Sequence, residues 1–292
     1  MVLLRVKRGD ENQFLYETPI NTPVDTALAE IVSIFNGRLK ISRICAEMEE
    51  LAKHGVMFPP EILGLNEDQV RDFKLVDPWA DKCIPSGGYI ENKDPMGRRN
   101  GRQPHKHLQD MISKTIEDVK AMTSRKLVDQ NEQVTIKTIH EAIKLLKGAI
   151  TIVYPMNLPP HDPIRLEFEN IEDLTGTQAS LDVLDPATAQ LWFSGKEMVR
   201  GFGKLISEYA GRNDKCKLVV KLQKKGEGPP GREPVMTETE RKNLMVYAYR
   251  KQEEAKKLEQ NDDDEYLNAS WADSSSLKRQ FHGLKNISWR PK

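Results

Sequence analysis

At 292 residues, with 44 Lys and Arg balanced by 44 Asp and Glu, the chain carries no global field that would draw it to nucleic acid or to an anionic membrane. Hydrophobic residues make up 38% and charged residues 30%, which predicts a sizeable core carrying long solvated helices. Cys45, Cys83 and Cys216 are few, odd in number and far apart, so free thiols in a reducing compartment are expected rather than a disulfide framework.

The opening MVLLRVKRGDE is too short and too charged for a signal peptide, and no apolar stretch reaches transmembrane length. A soluble intracellular protein is therefore expected. Val2–Lys7 and Gln13–Thr18 read as strands flanking a Gly9-Asp10-Glu11-Asn12 turn, a hairpin signal. Thr22, Pro23 and Asp25 read as the capped start of a helix with Val24, Leu28, Ile31 and Phe35 on its buried stripe, ended by Gly37. A second helix follows, with Ile41, Ile44, Cys45, Met48 and Leu51 on one face, up to Gly55. Residues 56–103, rich in Pro and Gly, read as a long irregular connection pinned by Trp79 and Ile90.

Two amphipathic helices come next, one with Leu108, Met111, Ile112, Ile116 and Val119, the other with Ile136, Ile139, Ile143 and Leu146, followed by Gly148. The apolar run Ala149–Tyr154 reads as a buried central strand, and Ile164–Phe168 as another strand. Asp185-Pro186 then opens a predicted helix carrying Leu191, Met198, Phe202, Leu205 and Tyr209. The last strand, Lys215–Lys224, alternates, with Leu218, Val220 and Leu222 on one face and Lys217 and Lys221 on the other. Its lysines suggest an edge strand protected from aggregation.

The organisation expected is an α+β body over 1–225 with a helical insertion at 56–147, a Gly/Pro linker at 226–236, and a charged helix plus tail over 237–292. Thr237 and Glu240 form a capping box for that helix. The mixed sheet would begin with a ββα unit, as a ubiquitin-like β-grasp does. An independent mixed sheet with helices on one face is the alternative.

Chemistry is sparse. Gly226-Glu-Gly228-Pro-Pro-Gly231 imitates a dinucleotide fingerprint, but its prolines remove donors and no helix N-terminus follows directly. His105 and His107 are two apart on different helix faces, without cysteine or carboxylate at ligand spacing. His161-Asp162 reads as ordinary turn chemistry before Pro163. Arg98, Arg99, Arg102 and Lys106 read as a solvated loop, with contact to an acidic partner as the alternative. No catalytic, metal or cofactor-binding residue emerges, so no enzyme and no cofactor are expected. What stands out is the tail, which carries Tyr266, Trp271, Phe281, Trp289 and Arg290 in a segment without periodicity. A purely solvated tail normally lacks such aromatics, so these five residues are the candidate partner-binding set.

Several blocks resemble a known family. MVLLRVKRGDE, FNGRLKISRICAEMEELAKHG, DKCIPSGG, GRRNG and GAITIVYPMNLPPHDPIRLEFEN are similar to the Kurly family, cilia- and flagella-associated protein 298. So are EDLTGTQA, AQLWFSGKE, NDDDEYLN, WAD and FHGLKNISWRP, and together the blocks run from Met1 to Pro291. The resemblance implies a non-enzymatic role in motile cilia: cytoplasmic assembly of axonemal outer dynein arms, and cilium motility and positioning. It also implies protein partners among dynein-arm assembly factors, such as a MYND zinc-finger protein, or among axonemal dynein chains. Cytoplasm, cilium and basal body are the implied locations. A structural component resident on the axoneme or basal body is the alternative, which the neutral charge disfavours, since a tubulin lattice calls for a basic face. The resemblance implies no catalytic residue.

Overall fold

Val2–Arg8 (β1) and Glu11–Thr18 (β2) form the expected antiparallel hairpin, with Val2 opposite Thr18 and Arg8 opposite Glu11. Gly9 turns it at φ +61°, a conformation that favours glycine. Alternation sends Val2, Leu4 and Val6 into the core. The computed structural model describes residues 1–65, 67–201, 203–211, 213–232, 236, 238–260, 275, 278–279 and 282–283. It gives an α+β fold in two units, 1–233 and 234–292.

Val24–His54 is a single 31-residue helix, α1, and not two helices divided at Gly37. Gly37 lies where α1 crosses a later helix, and a Cβ there would come within 2.6 Å of the Ile139 side chain. That glycine is a close approach rather than a stop. The helix start also differs from expectation. Pro23 is the N-cap residue and makes no side-chain cap, while the Thr22 hydroxyl bonds that of Thr18. Asp25 instead accepts from Arg200 Nε at 3.2 Å and Gly201 N at 2.9 Å.

The five-stranded sheet has the order β2-β1-β7-β5-β6. Here β5 is Ala189–Phe193, β6 is Lys196–Glu197 and β7 is Lys217–Lys224. β1 runs parallel to β7, pairing Leu4 with Leu218 and Val6 with Val220, and β7 runs antiparallel to β5. Lys217–Lys224 is therefore an interior strand and not an edge. The helix expected after Asp185-Pro186 is the β5–β6 hairpin. Ser194 at φ +52° and Gly195 at φ +78° turn it, the left-handed pair a tight hairpin needs.

The segment between α1 and β5 contains Glu67–Asp72 (α2), Tyr89–Glu91 (β3), Arg102–Pro104 (β4), Lys106–Met122 (α3), a 3₁₀ turn at Arg125–Val128, Ile136–Val153 (α4), Pro163–Glu169 (α5) and Gln178–Asp182 (α6). Two predicted strands are helical here. Ala149–Tyr154 continues α4 through Gly148, with Ala149, Ile150 and Val153 buried and Ile152 exposed. Ile164–Phe168 falls in α5, where Asp162 is the N-cap, its carboxylate accepting from Ile164 N at 3.0 Å, and Pro163 fills the first turn. The insertion therefore reaches past residue 147, and the hairpin joins β7 rather than Ala149–Tyr154. β3 and β4 pair only with each other.

The core follows from the long helix. The first half of α1 lays Leu28, Ile31, Val32 and Phe35 into a cluster with Leu4, Val220 and Leu191 of the sheet. Its second half adds Ile44, Met48 and Leu51, beside Ile112 and Ile116 of α3 and Leu146 of α4. Ser207–Ala210 (α7) lies beside the start of α1, since Ser207 N donates to Ile20 O at 3.0 Å. The second unit contains Glu238–Gln260 (α8), whose side chains are exposed from 238 to 257. No described helix is long and apolar enough to cross a membrane.

Candidate functional site

The predicted docking residues Tyr266, Trp271, Phe281, Trp289 and Arg290 lie outside the described residues, as does Thr237 of the predicted capping box. The groups that the body brings together come from elsewhere in the sequence. At the C-terminal end of α1, Gly55 takes φ +76°, and a Cβ there would lie 2.4 Å from the carbonyl oxygen of Arg102. This permits two segments to run side by side. Phe58 N donates to Arg98 O at 3.0 Å, Asn100 N to Val56 O at 3.0 Å, and Gly101 N to His54 O at 2.8 Å. Asp94 shapes the returning loop, accepting from the backbone N–H groups of Met96, Arg98 and Arg99 at 2.9, 2.8 and 3.1 Å. Burial pushes its carboxyl up, but these donors outweigh that and hold it below the usual carboxylate range.

The loop drives Arg99 inward, where only 3% of the residue is exposed, which corrects the solvated-loop reading. Its Nη1 donates to Gly55 O at 2.8 Å, and its Nη2 to Glu47 Oε2 at 2.6 Å. Asp162, fully buried, lies 3.9 Å from Nη1 and also accepts from Met57 N at 3.3 Å. Asp162 is thus no ordinary turn residue: it ties α5, residue 57 and Arg99 together. Burial raises its carboxyl above the usual range, only partly offset by the guanidinium. The nearby Tyr154 hydroxyl is buried without a hydrogen-bond partner, and its pKa is raised by burial and by Asp162.

Arg98 lies 3.5 Å from Glu47, and Arg102 pairs with Asp81 at 3.1 Å and covers the Tyr89 ring, while Lys106 of the expected basic patch is exposed. A second clamp fixes α5 on α1, where Arg43 grips Glu167 through contacts of 2.5 and 3.0 Å. Within the 56–103 connection, Trp79 packs on the core as expected, but Ile90 is 47% exposed and pins nothing.

His105 and His107 do not diverge: their rings stack with centroids 6.2 Å apart, and a His105 ring nitrogen lies 3.0 Å from Gly87 O. Among the described residues no group of three His, Cys, Asp or Glu could hold a metal ion. Burial pushes the Cys45 thiol up to about 11 and raises Cys83, the opposite of what a nucleophilic thiol needs.

Among the open clefts of the body, two lie beside features already described. One, of about 400 Å³, lies beside Arg99 and is walled by Phe58, Ile62, Leu65, Val70 and Leu75. The other, of about 750 Å³, lies against β5 and β7, lined by Trp192, Val219 and Lys221 together with Pro230, Gly231 and Arg232. Lys221 Nζ donates to Gly231 O at 2.9 Å and lies 3.4 Å from Asp10, which secures the chain as it leaves β7.

These features define a body whose buried charged groups brace its own elements. The chain belongs to the family of cilia- and flagella-associated protein 298, and its role is cilium-related. A family model described as Cilia- and flagella-associated protein 298 matches residues 189–287. The chain is 59% identical to Cilia- and flagella-associated protein 298 of Drosophila melanogaster over 290 residues, 99% of each chain. It is 51% identical over 292 residues, 100% of each chain, to the Homo sapiens protein of that name and to Cilia- and flagella-associated protein 298-A of Xenopus laevis. No solved structure matches it.

Proposed function

We propose that this protein is a non-enzymatic factor that supports cytoplasmic assembly of axonemal outer dynein arms, and through it cilium motility and positioning. The observation that carries the reading is the end-to-end similarity to cilia- and flagella-associated proteins, over 99% or more of each chain. Support comes from the disposition of charge: Arg99 pairs with Glu47 and Asp162, and Arg43 with Glu167, so these groups serve to brace the fold. The protein then works by contact, with dynein-arm assembly factors such as a MYND zinc-finger protein, or with axonemal dynein chains. It passes between cytoplasm, basal body and cilium.

In this reading the sheet is a ubiquitin-like β-grasp, supported by the order β2-β1-β7-β5-β6 with its parallel β1–β7 pair beneath α1. The Gly/Pro-rich 226–236 stretch separates this body from the contact-making end, where Tyr266, Trp271, Phe281, Trp289 and Arg290 dock on partners.

Fractionation of ciliated cells tests the proposal. A cytosolic pool co-sedimenting with dynein heavy and intermediate chains is expected. A protein found wholly in a salt-resistant axonemal pellet overturns assembly and favours a resident structural component. The double change Trp271→Ala and Trp289→Ala tests the docking end. It should abolish co-precipitation of assembly factors while leaving the melting temperature unchanged. A large drop in melting temperature with partners still bound makes the tail part of the fold.

A further inference from the structure

α4 contains a glycine that the body does not use. Gly148 lies inside the helix and is exposed, and a Cβ there would meet nothing within 4 Å. Glycine is among the poorest helix formers, so a helical glycine with no close neighbour weakens its helix without return. Gly37 of α1 is the contrast, because its missing side chain makes room for Ile139 of α4. At about 100° per residue, Ile139 and Gly148 fall on opposite sides of α4. The first side is packed against α1. The second carries Leu145 at 48% exposure, Gly148, and Ile152 at 60%, spaced i, i+3 and i+7 along one face. Met156, 75% exposed, follows just beyond the helix.

We propose that this face of α4 is the docking site for an amphipathic helix of a partner protein, which crosses α4 at Gly148 and carries acidic residues beside its apolar stripe. The chemistry of the face selects a helix. Backbone groups inside α4 are spent on its own hydrogen bonds, so an extended segment laid on Leu145 and Ile152 would find no partner there for its N–H and C=O groups. A helix arrives with those groups already satisfied. A small ligand calls for a concavity, and a helix face is a ridge. At Gly148 the second backbone can come closer than usual, since the distance between crossing helices is set by the side chains at the contact. Charge selects the partner. Lys144 and Lys147 are exposed beside the stripe, with Lys137 nearer the helix start, and none of them pairs with a carboxylate among the described residues. Glu141 is the only acidic residue of α4. The adjacent α3 offsets nothing, because its exposed Lys106, Lys114 and Lys120 balance Asp110, Glu117 and Asp118. A second copy of this chain would set one lysine-rich rim against another, whereas Asp or Glu on a partner helix complements it. This inference stands independently of the dynein-arm reading.

The test uses the full-length protein and fluorescent helical peptides with an Ala/Leu stripe, followed by fluorescence polarisation. One peptide carries Glu beside the stripe, one carries Lys there, and one is the Glu peptide broken by a central proline. Saturable binding is expected for the intact Glu peptide alone. Gly148→Gln should weaken it at least tenfold without lowering the melting temperature, because the free protein has room for the side chain and glutamine is the better helix former. Changing Leu145 and Ile152 together to Gln should abolish it. The double change Lys144→Glu and Lys147→Glu should reverse the preference, so that the Lys peptide binds and the Glu peptide does not. Absence of saturable binding by the Glu peptide overturns the proposal, as does binding indifferent to Gly148→Gln or equal binding of the proline-broken peptide. A dimer in sedimentation that Gly148→Gln dissociates also overturns it, since the face then belongs to a second copy of the chain.

Discussion

Replacing Gly37 by alanine tests the crossing on which the two halves of the body depend. In an unconstrained helix interior this change stabilises by about 1 kcal/mol, because glycine is that much poorer a helix former. Here the new methyl would lie 2.6 Å from Ile139 Cγ2, against an optimum carbon separation of about 3.5–4.0 Å. Ile139 is 4% exposed and sits in α4, where a β-branched side chain is largely confined to one rotamer. It cannot swing aside, so α1 and α4 must part or strain. Overpacking of this kind costs about 1–3 kcal/mol. Set against the propensity gain, the net expectation is a loss of up to about 2 kcal/mol, which lowers the melting temperature by about 2–4 °C per kcal/mol in a body of this size. Ile139→Ala costs about 2–5 kcal/mol alone, but in that background Gly37→Ala should become stabilising, because the clashing methyl is gone. Urea titration of the four proteins at constant m-value gives a coupling of about 1–3 kcal/mol. If Gly37→Ala raises stability in the otherwise unaltered protein, the close approach is not there and the argument fails.

Arg99→Met should cost about 3–5 kcal/mol in urea titration, because it leaves the buried Asp162 without its cation and Glu47 with only the exposed Arg98; a loss below about 1 kcal/mol would show that the cluster does not brace the fold. Arg99→Lys should recover little, since one ammonium does not reproduce a planar fork that reaches Gly55 O and Glu47 together. Asp94 has a folded pKa below its unfolded value, so its stabilisation is complete above the unfolded value of about 3.9 and is lost as pH falls through the folded one. The melting-temperature gap between the unaltered protein and Asp94→Asn should therefore close on acidification, and a gap independent of pH refutes the role given to its carboxylate. Deleting residues 1–20 removes both β1 and β2, leaves β7 without its parallel neighbour and should abolish cooperative unfolding; a well-dispersed spectrum from the truncated protein would count against this.

The hairpin was legible because alternation and a glycine turn are local signals, and both survive in the fold. The errors arose where a local signal has two meanings. Gly37 read as a helix end, yet its neighbour across the crossing is 102 residues away in sequence, and only the packed structure reveals why no side chain fits. Ala149–Tyr154 is a short apolar run, which periodicity alone cannot assign to strand or helix. As helix it turns Ala149, Ile150 and Val153 inward and leaves Ile152 exposed. Of the four Asp-Pro steps in the chain, two have opposite outcomes. At Asp162-Pro163 it starts α5; at Asp185-Pro186 the carboxylate makes a short turn to Ala187 N, and the chain then alternates into β5. The Ser194-Gly195 pair was the signal that could have separated the two, since it marks a tight turn inside the predicted helix. Arg99 could not be found this way, because its carboxylate partners Glu47 and Asp162 are remote in sequence.

Where the polar groups sit bears on how this protein makes contact. In the body, the ion pairs of Arg99 with Glu47 and Asp162 and of Arg43 with Glu167 join α1 to the loop at 94–102 and to α5, and so brace an irregular inserted region. α8 follows a different principle. Its 23 residues expose Leu244 at 53%, Met245 at 63%, Val246 at 51%, Tyr247 at 60% and Tyr249 at 62%, and its Glu238–Lys242 pair at 3.0 Å adds only a surface i,i+4 contact, worth about 0.2–0.5 kcal/mol. Most helical stability in proteins comes from packing an amphipathic face, but Leu244, Met245, Val246 and Tyr247 are consecutive and fall all around α8, so they do not form one such face. The body is thus braced by buried and half-buried charge, whereas α8 presents apolar residues on every side and is supported along its described length by local contacts such as the Glu238–Lys242 pair.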